Sequence, residues 1–103
     1  MKRSRNWILT NNYKEEKPLK NDELLKYIQN IKGFIYTAFQ LEQGEQGTKH
    51  HQIYISFKNA KSFETIKKHF PKAHIEAMKG TPQQASEYCT KEETRLAPPV
   101  IDG

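Results

Sequence analysis

The stretch KHHQIYISF at residues 49–57 restricts the fold of this chain more than any other, because its side chains alternate in polarity. Successive side chains of a β-strand point to opposite faces of the sheet. One side therefore carries His51, Ile53, Ile55 and Phe57, and the other carries His50, Gln52, Tyr54 and Ser56. This pattern predicts a strand in a sheet that is packed against a core on one face and is polar on the other.

The rest of the chain alternates between strand and helix patterns. Aromatic and β-branched residues predict further strands at 5–11, 34–42 and 73–78. Apolar residues at helical spacing predict helices at 22–31, at 62–69 and after Thr81. This order predicts an α+β fold, in which an antiparallel β-sheet has helices packed on one face and leaves the other face open.

Two helix starts carry capping signals. Asn21 or Asp22 can cap the first helix. Thr81 can cap the last helix, Pro82 then occupies the first helical position, and Gln84 completes a capping box. The last helix is therefore the best defined of the three by sequence.

The length and the cysteine content limit the class of protein. With 103 residues the chain fits one domain, which we expect to span residues 1–93, followed by a linker-like tail at 94–103. The single cysteine, Cys89, excludes an internal disulfide and a cysteine-based zinc site. The apolar runs are too short for a membrane span, and MKRSRNW at the N-terminus does not resemble a secretion signal. We therefore expect a protein of a reducing compartment.

The charge balance favours a polyanionic partner. Lysine and arginine total 17 against 12 aspartate and glutamate residues, giving a formal net charge of +5. Such an excess assists nucleic-acid binding, because phosphate neutralisation releases counterions. The basic residues are spread along the chain, so the charge indicates a class of partner without naming it.

The polar side of the strand at 49–57 suggests a metal site. His50 and Gln52 are two residues apart, so they point the same way about 6–7 Å apart. Glu42 lies near the end of the neighbouring strand, although Gln43 is an alternative if the hairpin is one residue longer. An imidazole nitrogen, an amide oxygen and a carboxylate oxygen suit Mg²⁺ or Mn²⁺. An ordinary solvated sheet face is the alternative interpretation.

Tyr88 and Lys91 form a second pair of interest. They are three residues apart, so on the last helix they share one face. A phenol has a pKa near 10 and needs a nearby cation to act as a nucleophile at neutral pH. If the last helix packs near the open sheet face, Tyr88 would lie beside the metal site.

Three segments in order resemble a known family. ILTNN at 8–12, HHQ at 50–52 and YCTK at 88–91 are similar to the three motifs of the endonuclease domain of rolling-circle replication initiator (Rep) proteins from circoviruses and nanoviruses. These domains are HUH endonucleases with an RRM-like sandwich fold. The resemblance covers nearly all of residues 5–93, and the ordered triple is far more specific than any single motif.

The resemblance implies a function for the chain. Such a domain nicks and joins single-stranded DNA at a stem-loop origin and thereby initiates rolling-circle replication. Tyr88 would be the nucleophile that becomes linked to the 5′ phosphate, and Lys91 would assist it. A helicase domain commonly follows in this family, and the host nucleus is the expected location.

The resemblance also implies binding residues. Glu42, His50 and Gln52 would hold the divalent metal, Mn²⁺ or Mg²⁺. Contacts with single-stranded DNA would come from Asn11, Asn12 and Lys79. His51 stands where the family usually has a bulky apolar residue, and because it lies on the core side of the strand we expect it to pack rather than to bind metal.

Two other classes of function fit parts of the same pattern. A non-catalytic single-strand-binding module would use the open sheet face with aromatic side chains as stacking platforms, but the aromatic-glycine motifs of RNA-recognition domains are missing. A protein-interaction module would also use that face, and the basic charge balance disfavours it. The origin sequence, the preferred metal, the host and the oligomeric state do not follow from the residues.

Overall fold

The computed structural model describes residues 3–78 and 80–103, which form a five-stranded antiparallel sheet and three helices. The strands are β1 (Arg3–Tyr13), β2 (Phe34–Gln43), β3 (Lys49–Ser62), β4 (His74–Ala77) and β5 (Val100–Asp102). The helices are α1 (Asn21–Gln29), α2 (Phe63–His69) and α3 (Pro82–Tyr88). The strand order is β4-β1-β3-β2-β5. The predicted α+β class is confirmed. No helix in these two ranges combines the length and the apolar character that crossing a bilayer requires.

One face of the sheet packs against α1 and α2. The central strands contribute Trp7, Leu9, Phe39, Ile53, Ile55 and Phe57 to this core, and the helices contribute Leu24, Ile28 and Ile66. All nine side chains are 1% exposed or less. Full burial of one such side chain stabilises the fold by about 1.5–3 kcal/mol. The apolar side of β3 therefore faces the core, as its alternation predicts.

The opposite face, which the sequence pattern predicts to be open, is covered in part by α3. Ala85 and Cys89 at this helix pack against Ala38 of β2 and Tyr54 of β3. The helix begins as the sequence predicts, since the Thr81 side chain accepts a hydrogen bond from the backbone N–H of Gln84. The last helix consequently lies over the polar side of the sheet.

The start of α1 differs from the prediction. The cap position is Lys20 rather than Asn21 or Asp22, and the Lys20 side chain accepts no hydrogen bond. The Glu23 carboxylate accepts one from the Lys20 backbone N–H at 3.4 Å, and the Asp22 carboxylate accepts one from the Glu23 backbone N–H at 2.9 Å. The side-chain oxygen of Asn21 instead accepts a hydrogen bond from Nε2 of His51, 2.8 Å away. A tertiary partner thus competes successfully for the group that local capping would have used.

The tail at 94–103 is tied to the sheet by its last residues. Val100 and Ile101 pair with Phe39 and Ala38 of β2, so the part of the linker-like tail that forms β5 is an edge strand. The Asp102 carboxylate also accepts a hydrogen bond from the Gln29 side chain of α1 at 3.0 Å. A three-residue strand carries too little pattern to be recognised without its partner. The domain boundary at residue 93 stays a prediction.

Candidate metal and nucleophile site

A first row of polar side chains crosses the sheet on the face that α3 covers. His50 of β3 lies opposite Glu42 of β2 and opposite Asn12 of β1. The Nε2 of His50 and the Oε1 of Glu42 are 3.0 Å apart, and Glu42 is only 2% exposed. Gln43 pairs with Lys49, so its side chain points to the other face. The register therefore brings Glu42, rather than Gln43, to His50.

A second polar row lies two residues further along β3. Gln52 is opposite Thr10 of β1 and opposite Gln40 of β2. Its Oε1 accepts a hydrogen bond from the Thr10 hydroxyl, and its Nε2 donates to the carbonyl of Leu9, each at 3.1 Å. Because a carbonyl oxygen has two lone pairs, Oε1 retains one acceptor position after bonding Thr10. His50 and Gln52 thus present a nitrogen and an oxygen ligand on the same surface.

The donor types of these residues fit a hard divalent cation. Glu42 supplies a carboxylate that is almost free of solvent, His50 an imidazole nitrogen and Gln52 an amide oxygen, a set that suits Mg²⁺ or Mn²⁺. Within residues 3–78 and 80–103, no three His, Cys, Asp or Glu side chains form a group able to hold a metal ion. The expected trio of Glu42, His50 and Gln52 includes an amide, so it is not a group of this type. The metal itself stays a prediction.

Tyr88 ends α3 and lies on a cleft that it shares with the second row. The cleft has a volume of about 800 Å³, and its lining includes Thr10, Gln52, His74 and Glu76. This volume lies within the range of about 300–1,000 Å³ that is usual for ligand pockets. Tyr88 is 51% exposed, so its ring is not committed to the core. The phenol is therefore accessible on the polar side of the sheet.

Lys91 follows α3 and contacts both the tyrosine and the sheet. Its Nζ lies over the Tyr88 ring, 4.7 Å from the ring centroid. A cation over an aromatic face at an exposed site contributes about 0.5–1 kcal/mol. The backbone carbonyl of Lys91 accepts a hydrogen bond of 2.6 Å from Nε2 of Gln40 on β2. The prediction that both residues lie on the last helix is wrong, because α3 ends at Tyr88. The pair still meets in space, and the backbone of Lys91 is anchored to the strand that carries Glu42.

Cys89 is buried beneath the site. It is 0% exposed, and burial, together with the negative charge of Glu42, raises the pKa of its thiol to about 12. The thiol is therefore protonated at neutral pH and cannot act as a nucleophile there. Cys89 therefore packs next to Tyr88 without reacting.

The three residues expected to contact DNA differ in their surroundings. Asn12 is exposed and lies in the first polar row, opposite His50. Asn11 points to the other face, where its side-chain amide donates to the Tyr13 hydroxyl at 3.2 Å. Lys79 lies outside the described residues. Contact with DNA stays a prediction for all three.

Sequence reasoning missed three residues that line or support the site. Thr10 bonds Gln52, while Gln40 bonds Glu42 and Arg95 bonds Gln40. A signal existed for Gln40, because it is two residues before Glu42 on a predicted strand and must share its face. Arg95 carried no such signal, since it lies in the tail that reads as a linker.

Comparison with known proteins places the chain in a family. The family model described as "Putative viral replication protein" matches residues 4–92, which include all three motifs. The chain therefore belongs to this family of viral replication proteins, and the resemblance to Rep proteins is confirmed.

The relatives are replication proteins of nanoviruses and circoviruses. The chain is 34% identical over 97 residues to the master replication protein of Banana bunchy top virus, an alignment that covers 94% of this chain and 30% of that protein. It is 42% identical over 82 residues to the master replication protein of Milk vetch dwarf virus, covering 80% and 26%. The replication-associated protein of Beak and feather disease virus is 46% identical over 59 residues, covering 57% and 20%. The chain spans less than a third of the length of these relatives.

Proposed function

We propose that this chain is a metal-dependent tyrosine endonuclease that nicks and joins single-stranded DNA at a viral replication origin. The observation that carries the proposal is the position of Tyr88, half exposed on a cleft whose lining includes Gln52, on the face that also holds the Glu42–His50 pair. Membership of a viral replication protein family supports a role in rolling-circle replication.

In the proposed reaction the Tyr88 phenol oxygen attacks the phosphorus of one phosphodiester. A bond forms between Tyr88 and the 5′ phosphate, and the bond from phosphorus to the 3′ oxygen breaks. The phenol proton passes to solvent water as the oxygen attacks, and the 3′ oxygen takes a proton from the Lys91 ammonium to become a free hydroxyl. Joining is the reverse reaction, in which a 3′ hydroxyl displaces the tyrosine.

The residues around Tyr88 have separate roles in this proposal. Glu42, His50 and Gln52 would hold a divalent cation, which when bound polarises the scissile phosphate and neutralises its charge. Lys91, with its ammonium over the tyrosine ring, can neutralise charge on a phosphate beside Tyr88 and can protonate the leaving 3′ oxygen. Asn12 lies in the first polar row, where it can bind the strand on either side of the scissile phosphate.

A covalent adduct on a denaturing gel tests the proposal. The protein is incubated with Mn²⁺ and an end-labelled oligonucleotide that carries a candidate origin stem-loop. We expect a slowly migrating adduct with the wild type, and its loss when EDTA is added. Tyr88→Phe should reduce adduct formation at least about 1,000-fold, because it removes the attacking oxygen, while DNA binding stays close to the wild-type level.

Tyr27→Phe is the matched control for Tyr88→Phe. Tyr27 is 45% exposed, similar to Tyr88, but it lies on α1 on the opposite face of the sheet. This variant should form the adduct at the wild-type rate. Adduct formation by Tyr88→Phe would refute the nucleophile assignment, and DNA binding without any adduct in the wild type would favour a non-catalytic single-strand-binding module.

The proposal also includes a DNA partner, a cellular compartment and a neighbouring domain. A stem-loop origin is the expected DNA partner, the host nucleus the expected compartment, and a helicase domain the expected C-terminal neighbour in a longer chain. None of these alters the chemistry assigned to the cleft.

A further inference from the structure

We infer that Gln40 and Arg95 are positioning residues of the proposed nickase, because they join the Glu42 carboxylate to the segment that carries Tyr88 and Lys91. The inference rests on the proposed function and adds two residues to it. Neither belongs to the three sequence motifs, and the tail that holds Arg95 reads as a linker.

The side-chain amide of Gln40 is fully buried and uses all of its polar atoms. Its Nε2 donates one hydrogen to Oε2 of Glu42 at 2.8 Å and the other to the carbonyl of Lys91 at 2.6 Å. Its Oε1 accepts a hydrogen bond from Nε of Arg95 at 3.0 Å. Two acceptors on one side and a donor on the other fix the orientation of the amide. Gln40 therefore ties β2 to the residues after α3 in one defined geometry.

Arg95 closes the connection from the other side. Besides Gln40, its guanidinium donates to the carbonyl of Thr90. Its own backbone forms an isolated antiparallel bridge with Glu42. The neighbouring backbone groups continue this pairing, since Gln43 donates to Thr94 at 3.1 Å and Leu96 donates to Leu41 at 2.9 Å. The segment from Thr90 to Leu96 is thus held against the end of β2.

This connection acts on both halves of the proposed site. Both oxygens of Glu42 are engaged, Oε2 by Gln40 and Oε1 by His50, so the direction of the carboxylate is fixed before any cation binds. The same amide donates to the carbonyl of Lys91, so the backbone at Lys91 is held against the sheet. The Lys91 ammonium lies over the Tyr88 ring, so this anchor also positions the tyrosine. Partners that orient metal ligands in this way typically affect metal affinity or activity by 10–100-fold.

The role can be tested with the variants Gln40→Leu and Arg95→Lys. Arg95→Lys keeps the charge but loses the planar set of donors that reaches Gln40 and Thr90 together. Two exposed residues of the same types provide matched controls, Gln46→Leu in the turn between β2 and β3 and Arg5→Lys on β1. Circular dichroism during thermal unfolding establishes which variants fold. If Gln40→Leu does not fold, the role is tested with Arg95→Lys alone.

Three measurements test the positioning role of Gln40 and Arg95, and two of them do not depend on catalysis. Mn²⁺ affinity is measured on the protein alone, by loss of the free Mn²⁺ signal in electron paramagnetic resonance. The adduct rate is measured at saturating Mn²⁺, and amide hydrogen exchange is followed across residues 90–96. We expect Gln40→Leu to weaken Mn²⁺ binding at least 10-fold. Arg95→Lys should speed exchange across this segment and lower the saturated adduct rate about 10-fold, and both controls should match the wild type.

The outcomes distinguish this inference from the proposed function. A wild type that forms no adduct refutes the proposed function. A wild type that forms the adduct, with folded variants that equal it in Mn²⁺ affinity, adduct rate and exchange, refutes the positioning role alone. A variant that loses thermal stability but retains Mn²⁺ affinity and the saturated rate also refutes it, because the connection would then be merely structural.

Discussion

Two adjacent histidines of β3 have opposite surroundings on the two faces of the sheet. His51 lies on the face packed against α1 and α2, is 0% exposed, and bonds the Tyr13 hydroxyl through Nδ1 at 2.7 Å and the Asn21 side chain through Nε2 at 2.8 Å. His50 lies on the face that α3 covers, is partly exposed and contacts the Glu42 carboxylate.

The difference shows what each face requires of a polar group. On the core face both ring nitrogens of His51 are satisfied by neutral partners. The Asn21 oxygen can only accept, so Nε2 carries the proton and Nδ1 accepts from Tyr13. On the other face His50 meets a charge and keeps access to solvent. The core face therefore uses a histidine for packing, whereas the α3 face presents one for chemistry.

The sharpest test of this contrast replaces each histidine in turn. His50→Ala should lower the adduct rate about 100-fold or more, since it removes a proposed metal ligand. It should lower the free energy of unfolding by only about 1 kcal/mol, because the Glu42 carboxylate keeps its hydrogen bond from Gln40. His51→Ala should lower the free energy of unfolding by about 2–4 kcal/mol, because it leaves a cavity and unpaired partners, with little effect on the rate per folded molecule. Urea denaturation and the adduct assay measure the two quantities.

Each variant serves as the control for the other in that experiment. If His51→Ala stopped adduct formation while remaining folded, the assignment of His51 to packing would be wrong. If His50→Ala left the adduct rate unchanged, the proposed metal site would lose its nitrogen ligand.

A second test uses pH on the core face. Burial, with a smaller effect from the neighbouring His50, lowers the pKa of His51 from 6.5 to about 4. Between pH 6.5 and about 4 the unfolded chain binds a proton at this residue that the folded chain does not, so stability falls as the pH falls through that window. The loss approaches about 3 kcal/mol at the lower end.

The variant His51→Leu isolates this effect from the titration of carboxylates. It keeps apolar bulk at the position but has no titrating group, so its stability should fall less between pH 6.5 and pH 4 than that of the wild type. Chemical denaturation in EDTA at several pH values gives the comparison. If the stability of both proteins fell equally between pH 6.5 and pH 4, His51 would bind its proton as readily in the folded chain as in the unfolded chain.

The smallest expected effect compares the caps of two helices on opposite faces. The side chains of Thr81 and Ser62 accept hydrogen bonds from the third residues of α3 and α2, at 3.1 and 3.3 Å. Thr81→Ala and Ser62→Ala should each cost about 1 kcal/mol of stability. Only Thr81→Ala should also lower the adduct rate, by a few fold, because α3 carries Tyr88. Equal rates in the two variants would show that fraying of α3 does not reach the tyrosine.

Much of the fold could be predicted because its signals are local. The alternation in β3 assigns His51 and His50 to opposite faces before any partner strand is known. The cap of α3 could be predicted from Thr81 and Gln84, whose hydrogen bonds close within one turn. The choice between Glu42 and Gln43 required the strand register, which depends on the length of the hairpin.

The remaining features depend on contacts between distant segments. Asn21 does not cap α1 because His51, thirty residues away in sequence, binds its side chain. Arg95 supports the site through Gln40, fifty-five residues away. No pattern of neighbouring residues encodes such pairs, since each residue type has many possible partners and only the fold selects one.

By itself the sequence determined the periodicities of this protein and, through three ordered motifs, its family. Side-chain direction within a strand or a helix follows from backbone geometry alone, so faces can be read from spacing. Only the tertiary structure decided that Glu42 meets His50, that Tyr88 shares a cleft with Gln52, and that the tail returns to fasten α3 to β2. These depend on strand register and on long-range hydrogen bonds, which exist only when the whole sheet has formed.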